Sequence, residues 1–126
     1  MSRILVVDDA HDIVALLELM FHRAGFEVIA ARDGQQALEQ FESQAPDAVV
    51  LDLNLPLIPG WEVCRQMKQR RAIPIVIVSG NPITQMERRM EMIGADAYFG
   101  KPFDIMALLN QMFTLLGEHR LAVGAA

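Results

Sequence analysis

Four short apolar runs constrain this chain more than any other feature, because each leads into a polar residue suited to phosphate or metal chemistry. Ile4-Leu5-Val6-Val7 runs into Asp8-Asp9, and Ala48-Val49-Val50-Leu51 into Asp52. Ile75-Val76-Ile77-Val78 runs into Ser79-Gly80, and Ala97-Tyr98-Phe99-Gly100 into Lys101-Pro102. Runs this short, rich in Val and Ile and separated by helical stretches, read as parallel strands buried on both faces. The functional site of an open parallel sheet lies at the carboxyl ends of its strands. Three carboxylates, a hydroxyl and an ammonium are therefore expected at one edge of one sheet. Stability alone does not account for such a cluster, which makes it the candidate site.

The stretches between the runs carry helical periodicity. Residues 12–24 place Ile13, Leu16, Leu17, Met20 and Phe21 on one face, and Gly25 supplies the stop. A further strand, Phe26-Glu27-Val28-Ile29-Ala30, follows. Asp33 is the expected cap of a second helix, with Gln36 at capping-box spacing and Ala37, Leu38 and Phe41 facing inward. Pro46 closes the turn into the third strand. A third helix over 60–69 buries some of Trp61, Val63, Cys64 and Met67. A fourth over 82–93 spaces Met86, Met90 and Ile93, with Gly94 at its end. A fifth over 104–116 carries Leu108, Leu109, Met112, Leu115 and Leu116. Five strand-helix repeats with right-handed crossovers predict an α/β fold, a doubly wound five-stranded parallel sheet with five helices.

A chain of 126 residues fits one domain and buries a real core without disulfides. A net charge of −5 argues against a nucleic-acid grip by this domain alone, which needs a basic face. The lone Cys64 forms no internal disulfide, and no Cys/His spacing suits a metal, so a reducing, cytoplasmic setting is expected. The Met1-Ser2-Arg3 start does not read as a signal peptide. No apolar stretch approaches the roughly 20 residues of a membrane span.

Asp8, Asp9 and Asp52 are expected within a few ångströms of one another. Like charges that close need an offset, and a hard divalent cation is the natural one. Mg2+ takes oxygen ligands and is usually held by one or two carboxylates plus phosphate. Lys101 brings a mobile point charge for a phosphoryl oxygen, and Ser79 a hydroxyl donor. A carboxylate can act as nucleophile toward phosphorus. Asp52, alone at the end of the central strand, is the candidate.

These motifs, in this order, resemble the receiver domain of two-component response regulators. The resemblance runs from Arg3 to about Leu116. It rests on Ile4-Leu5-Val6-Val7-Asp8-Asp9, Asp52-Leu53-Asn54-Leu55-Pro56, Gly60-Trp61-Glu62-Val63, Ser79-Gly80 and Gly94-Ala95-Asp96-Ala97-Tyr98-Phe99-Gly100-Lys101-Pro102-Phe103. It implies a flavodoxin-like receiver fold with strand order 2-1-3-4-5. By the same resemblance Asp52 is the phosphoacceptor, and Asp9, Asp52 and the backbone carbonyl of Asn54 bind Mg2+, with Asp8 acting largely through water. It further implies that Ser79 and Lys101 bind the phosphoryl group, that Ser79 and Tyr98 form the switch, and that Lys101-Pro102 is cis. The partner implied is a sensor histidine kinase or a histidine phosphotransfer protein. The implied role is a signalling module that catalyses only its own phosphorylation and dephosphorylation. A homodimer through the fourth helix, last strand and fifth helix is a further expectation. Residues 1–117 form the receiver on this reading, and 118–126 a tail or the start of a linker.

Three positions depart from the commonest pattern. Pro59 stands before Gly60, which stiffens the loop after Asp52. Gly100 replaces an apolar β-former, which loosens the last strand near Lys101. Asn54 and Asn81 occupy variable positions that tune acyl-phosphate hydrolysis in the family.

Taken singly, each residue has a plainer role. Acids cap helices, Ser79 suits a turn, Tyr98 can be a packed strand aromatic, and His11 an exposed loop residue. Cys64 suits a partly buried apolar site, and Met92, off the buried phase of its helix, a contact surface. Two other functions use similar parts. A haloacid-dehalogenase-type phosphohydrolase needs a second acid two residues after its nucleophile, where this chain has Asn54. A flavodoxin-type flavin site needs a first loop that cradles phosphate, whereas Asp8-Asp9-Ala10-His11 repels it.

Overall fold

The computed structural model of the chain describes residues 2–80 and 94–117. The elements run β1 (Arg3–Val7), α1 (His11–Arg23), β2 (Glu27–Ala31), α2 (Gly34–Gln44) and β3 (Ala48–Asp52). Then follow α3 (Gly60–Arg70), β4 (Ile75–Ser79), β5 (Ala97–Gly100) and the last helix, α4 (Ile105–Leu115). The strands form one parallel sheet in the order β2-β1-β3-β4-β5, as expected. Four helices lie among the described residues; the helix expected over 82–93, with Met92 and Asn81, lies outside them.

Alternation along the strands divides the core in two, since successive side chains point to opposite faces. Ile4, Val6, Val50, Val76 and Val78 pack on one face with Leu17 and Phe21 of α1 and Leu108 and Met112 of α4. Leu5, Val7, Val49, Leu51, Ile75 and Ile77 pack on the other with Phe41 of α2 and Met67 of α3. Each such side chain stabilises the fold by about 1.5–3 kcal/mol on burial. The two faces together clamp β1, β3 and β4, whose carboxyl ends carry the candidate site.

The helix ends follow their local signals. Gly25 is left-handed at φ 97°, its amide donates to the His22 carbonyl, and the Phe26 amide donates to the Phe21 carbonyl at 3.0 Å. Phe21 and Phe26 then meet edge to face, 5.8 Å between ring centres, the apolar contact that accompanies such a stop. Asp33 caps α2 by accepting from the Gln36 amide at 2.7 Å. Gln36 Oε1 in turn accepts from the Arg32 amide.

The expected inward face of α1 needs one correction. Val14, Leu17 and Phe21 are its buried residues, whereas Leu16 is 42% exposed. Leu16 lines an open apolar groove of about 470 Å³ with Ile13, Pro102, Phe103 and Ile105. The angle at which α1 lies on the sheet turns Val14 inward and leaves Leu16 at that rim.

Candidate functional site

The sheet brings Asp8, Asp52 and Lys101 into direct contact from three separate strand ends. Asp8 and Asp52 are buried, 1% and 2% exposed, while Asp9 is exposed and Lys101 partly buried. The Lys101 ammonium donates to Asp8 Oδ2 at 3.0 Å and to Asp52 Oδ2 at 3.1 Å. The second oxygen of each acid accepts a backbone amide. Asp8 Oδ1 takes Ala10 N–H at 2.9 Å, and Asp52 Oδ1 takes Asn54 N–H at 3.1 Å. Each carboxylate is thus held at both ends and kept at a fixed angle.

Burial pushes the Asp52 carboxyl above the usual carboxylate range, and the negative charge of Asp8 adds to this. The Asn54 amide and the Lys101 ammonium pull the other way. For Lys101, burial works against the charged form, but its bonds to Asp8 and Asp52 outweigh burial and raise its pKa. The carboxylates of Asp8, Asp9 and Asp52 can each aim an oxygen at a common point, all within 4.8 Å of one another. Three carboxylates against one ammonium leave two negative charges uncompensated. An all-oxygen donor set with that deficit fits a hard divalent cation such as Mg2+.

Ser79 ends β4 and is fully buried. Its carbonyl accepts the Lys101 amide at 2.8 Å and the Tyr98 hydroxyl at 3.3 Å. The Lys101 bond is the one that pairs Gly100 with Ser79, the last pair of β5. The Lys101-Pro102 bond is cis, as expected. Asn54 is exposed on the loop after β3. His11 is also exposed, and its Nδ1 meets the Arg32 guanidinium at the rim. Cys64 is buried away from the site, and burial pushes its thiol up to about 12.

Two glycines position the loop after Asp52, and residue chemistry did not single them out. A Cβ on Gly60 would lie 2.5 Å from the Asp52 carbonyl oxygen and from Leu53 Cα. A Cβ on Gly34 would lie 2.6 Å from Ile58 Cβ. Glycine at 60 therefore lets α3 start directly against the backbone that carries Asp52. The same loop makes a tight turn in which the Ile58 amide donates to the Pro56 carbonyl around Leu57, at φ 71°. Leu57 is 74% exposed, so its side chain does not hold the turn.

The comparisons with known proteins agree with this geometry. The model of the response regulator receiver domain matches residues 4–113, most of the chain. The chain belongs to the receiver-domain family of response regulators. It is 41% identical over 123 residues to the alkaline phosphatase synthesis transcriptional regulatory protein PhoP of Bacillus subtilis, covering 96% of this chain and 51% of that protein. The receiver thus spans about half the length of the curated relatives it matches. The CheY-like receiver domain protein of Methanospirillum hungatei superposes with a TM-score of 0.88 at 26% identity, covering 93% of this chain and 94% of that one. The BeF3-activated N-terminal receiver domain of Klebsiella pneumoniae RstA gives 0.85 at 25% identity, covering 90% and 97%. Membership makes this receiver a response-regulator module of two-component signalling. Among the described residues, no helix is long and apolar enough to cross a membrane.

Proposed function

We propose that this receiver accepts a phosphoryl group on Asp52 from the phosphohistidine of a sensor histidine kinase or a histidine phosphotransfer protein. The observation that carries the reading is the Asp8–Lys101–Asp52 contact beside an acidic group able to hold Mg2+. Asp9, Asp52 and the Asn54 carbonyl would hold the ion, with Asp8 acting largely through water. The ion's contribution, when bound, is to neutralise phosphoryl oxygens and fix their direction.

The chain's own residues do the rest. An Asp52 carboxylate oxygen attacks phosphorus in line with the P–N bond of the donor. The P–O bond forms as the P–N bond breaks, and the imidazole leaves with its electron pair and takes up a proton. Lys101, which pairs with Asp52 before transfer, moves its charge to a phosphoryl oxygen afterwards. Ser79 donates its hydroxyl to another. Such transfer asks for positioning and charge neutralisation rather than covalent help. Water later attacks phosphorus and regenerates the Asp52 carboxylate, with inorganic phosphate as product. The module catalyses only these steps on itself.

Phosphorylation adds about −1.5 to −2 charge. The pull on Ser79 and Lys101 converges on residues 82–116, with Ser79 and Tyr98 as the switch. That face is where a second copy or a partner binds, by a shift in a pre-existing equilibrium. A cytoplasmic setting goes with the single, buried Cys64. Residues 1–117 are the functional unit. The haloacid-dehalogenase reading lacks its second acid, since position 54 is an exposed Asn.

Mass spectrometry after treatment with acetyl phosphate and Mg2+ tests the assignment. One phosphoryl group is expected on the wild-type protein, stable in acid and labile in base, and none on Asp52→Asn. Full labelling of Asp52→Asn sinks it. Amide shifts with and without beryllofluoride test the output. Beyond the site itself, the largest changes belong in residues 82–116, and changes centred on α1 and α2 contradict the switch.

A further inference from the structure

One position on β5 carries no side chain, and the Tyr98 ring lies over it. β5 pairs with β4 so that Tyr98 stands opposite Ile77 and Gly100 opposite Ser79. Residues two apart share a face of the sheet, so Tyr98 and Gly100 are neighbours on one side. The Tyr98 hydroxyl reaches the Ser79 carbonyl at 3.3 Å, next to the Lys101 amide that bonds the same oxygen. To get there the ring leans along the strand toward Gly100. A Cβ at Gly100 would lie 3.5 Å from Tyr98 Oη, 4.0 Å from its Cζ and 3.9 Å from the Ser79 carbonyl oxygen. A lone methyl is in ordinary contact at those distances. A branched side chain adds heavy atoms in a space that the hydroxyl and the carbonyl already bound.

We propose that Gly100 is the positioning residue for Tyr98: the missing side chain lets the tyrosine rest inward, with its hydroxyl on the Ser79 carbonyl, in protein that carries no phosphoryl group. This rests on the reading of Tyr98 as a switch residue and adds what sets its resting state. Residue 100 decides the balance between inward and outward tyrosine before any phosphate arrives. A branched residue there moves the resting population outward and makes the inward turn depend on the phosphoryl group. The device is a bias on a two-state side chain, and such a bias shifts populations without creating new states.

Tyr98 is the one tyrosine of the 126 residues, so 3-fluorotyrosine labelling of the full chain gives a single fluorine resonance from this ring. The spectra to compare are those of wild type, Gly100→Ala and Gly100→Val, with the urea-unfolded chain as the marker of an exposed ring. Gly100→Ala is expected to keep the wild-type resonance. Gly100→Val is expected to move it toward the exposed marker, and beryllofluoride with Mg2+ to bring it back. A folded Gly100→Val that keeps the wild-type resonance overturns the proposal. Valine favours strands more than glycine does, so the fold should survive. A cooperative melting curve checks this, and Gly100→Thr is the substitute variant. Failure of the switch reading looks different. Beryllofluoride then shifts the Ser79 and Lys101 amides but leaves the Gly100→Val fluorine resonance in place, while the resting difference between valine and glycine persists and supports the positioning role.

Discussion

At the scale of single residues, Asp52 meets two opposed demands. As the proposed phosphoacceptor it would need shielding from water to react cleanly, yet ionisation to attack. Burial and the Asp8 charge raise its pKa, while the Asn54 amide and Lys101 hold it down. The net shift is upward, so the fold favours the protonated form. That contribution is fully present below the unfolded pKa of about 3.9 and is lost as pH rises through the folded value. Asp52→Asn should therefore raise stability without metal at pH 7, on the order of 1 kcal/mol or about 4 °C in melting temperature. The gain should shrink as pH falls through the raised pKa of Asp52, where the wild-type carboxyl takes up its proton. Calorimetry from pH 7 downward checks this, and a variant that melts below wild type at pH 7 contradicts it. Cys64 gives an independent check on burial. With its thiol pushed up to about 12, chiefly by burial, it should resist a disulfide reagent at pH 8 in the native state. Its modification rate should rise only as urea unfolds the chain.

At the scale of elements, backbone approach matters more than side-chain chemistry. Gly60 lets α3 begin 2.5 Å, measured from a notional Cβ, from the carbonyl of Asp52. Gly60→Ala forces the loop and the strand end apart, at a cost of about 1–3 kcal/mol, typical of overpacking. It should also weaken Mg2+ binding, because the donors proposed on Asp52 and Asn54 move with that backbone. Gly25→Ala, at φ 97° and with open space around it, should cost about 1–2 kcal/mol through backbone conformation alone and leave Mg2+ affinity unchanged. Urea midpoints give the stabilities and titration calorimetry the affinities. Equal loss of metal affinity in both variants counts against the role given to Gly60.

At the scale of the whole molecule, the sheet works as a frame that brings distant residues to one edge. Lys101 stands 93 positions from Asp8 and 49 from Asp52, yet it bonds both. Mg2+ binding at that edge should couple to global stability by mass action. At about 100 times the dissociation constant it should add roughly 2.7 kcal/mol. A melting temperature that millimolar Mg2+ leaves unchanged argues against the metal site. We also expect a chain ended after Gly117 to melt as the full chain does, since among the described residues the two core clusters already join all five strands to the helices. A large drop on that truncation places part of the domain beyond Gly117.

The strands, their parallel pairing and the acids at their ends were legible in the sequence by itself. Short β-branched runs admit few alternatives, and right-handed crossovers leave few orders for five strands. The stops at Gly25 and the cap at Asp33 were legible too, because both are local events within one turn of helix. Tertiary structure alone decided the rest. Periodicity marks an apolar face but not the angle at which a helix rests, so Val14 rather than Leu16 turned inward on α1. Gly34 and Gly60 carry no chemistry in sequence, because their role is the room they leave for Ile58 and for the backbone at Asp52. The sharing of Lys101 between two carboxylates and the reach of Tyr98 to the Ser79 carbonyl depend on distances between strands, and a one-dimensional pattern holds no distances.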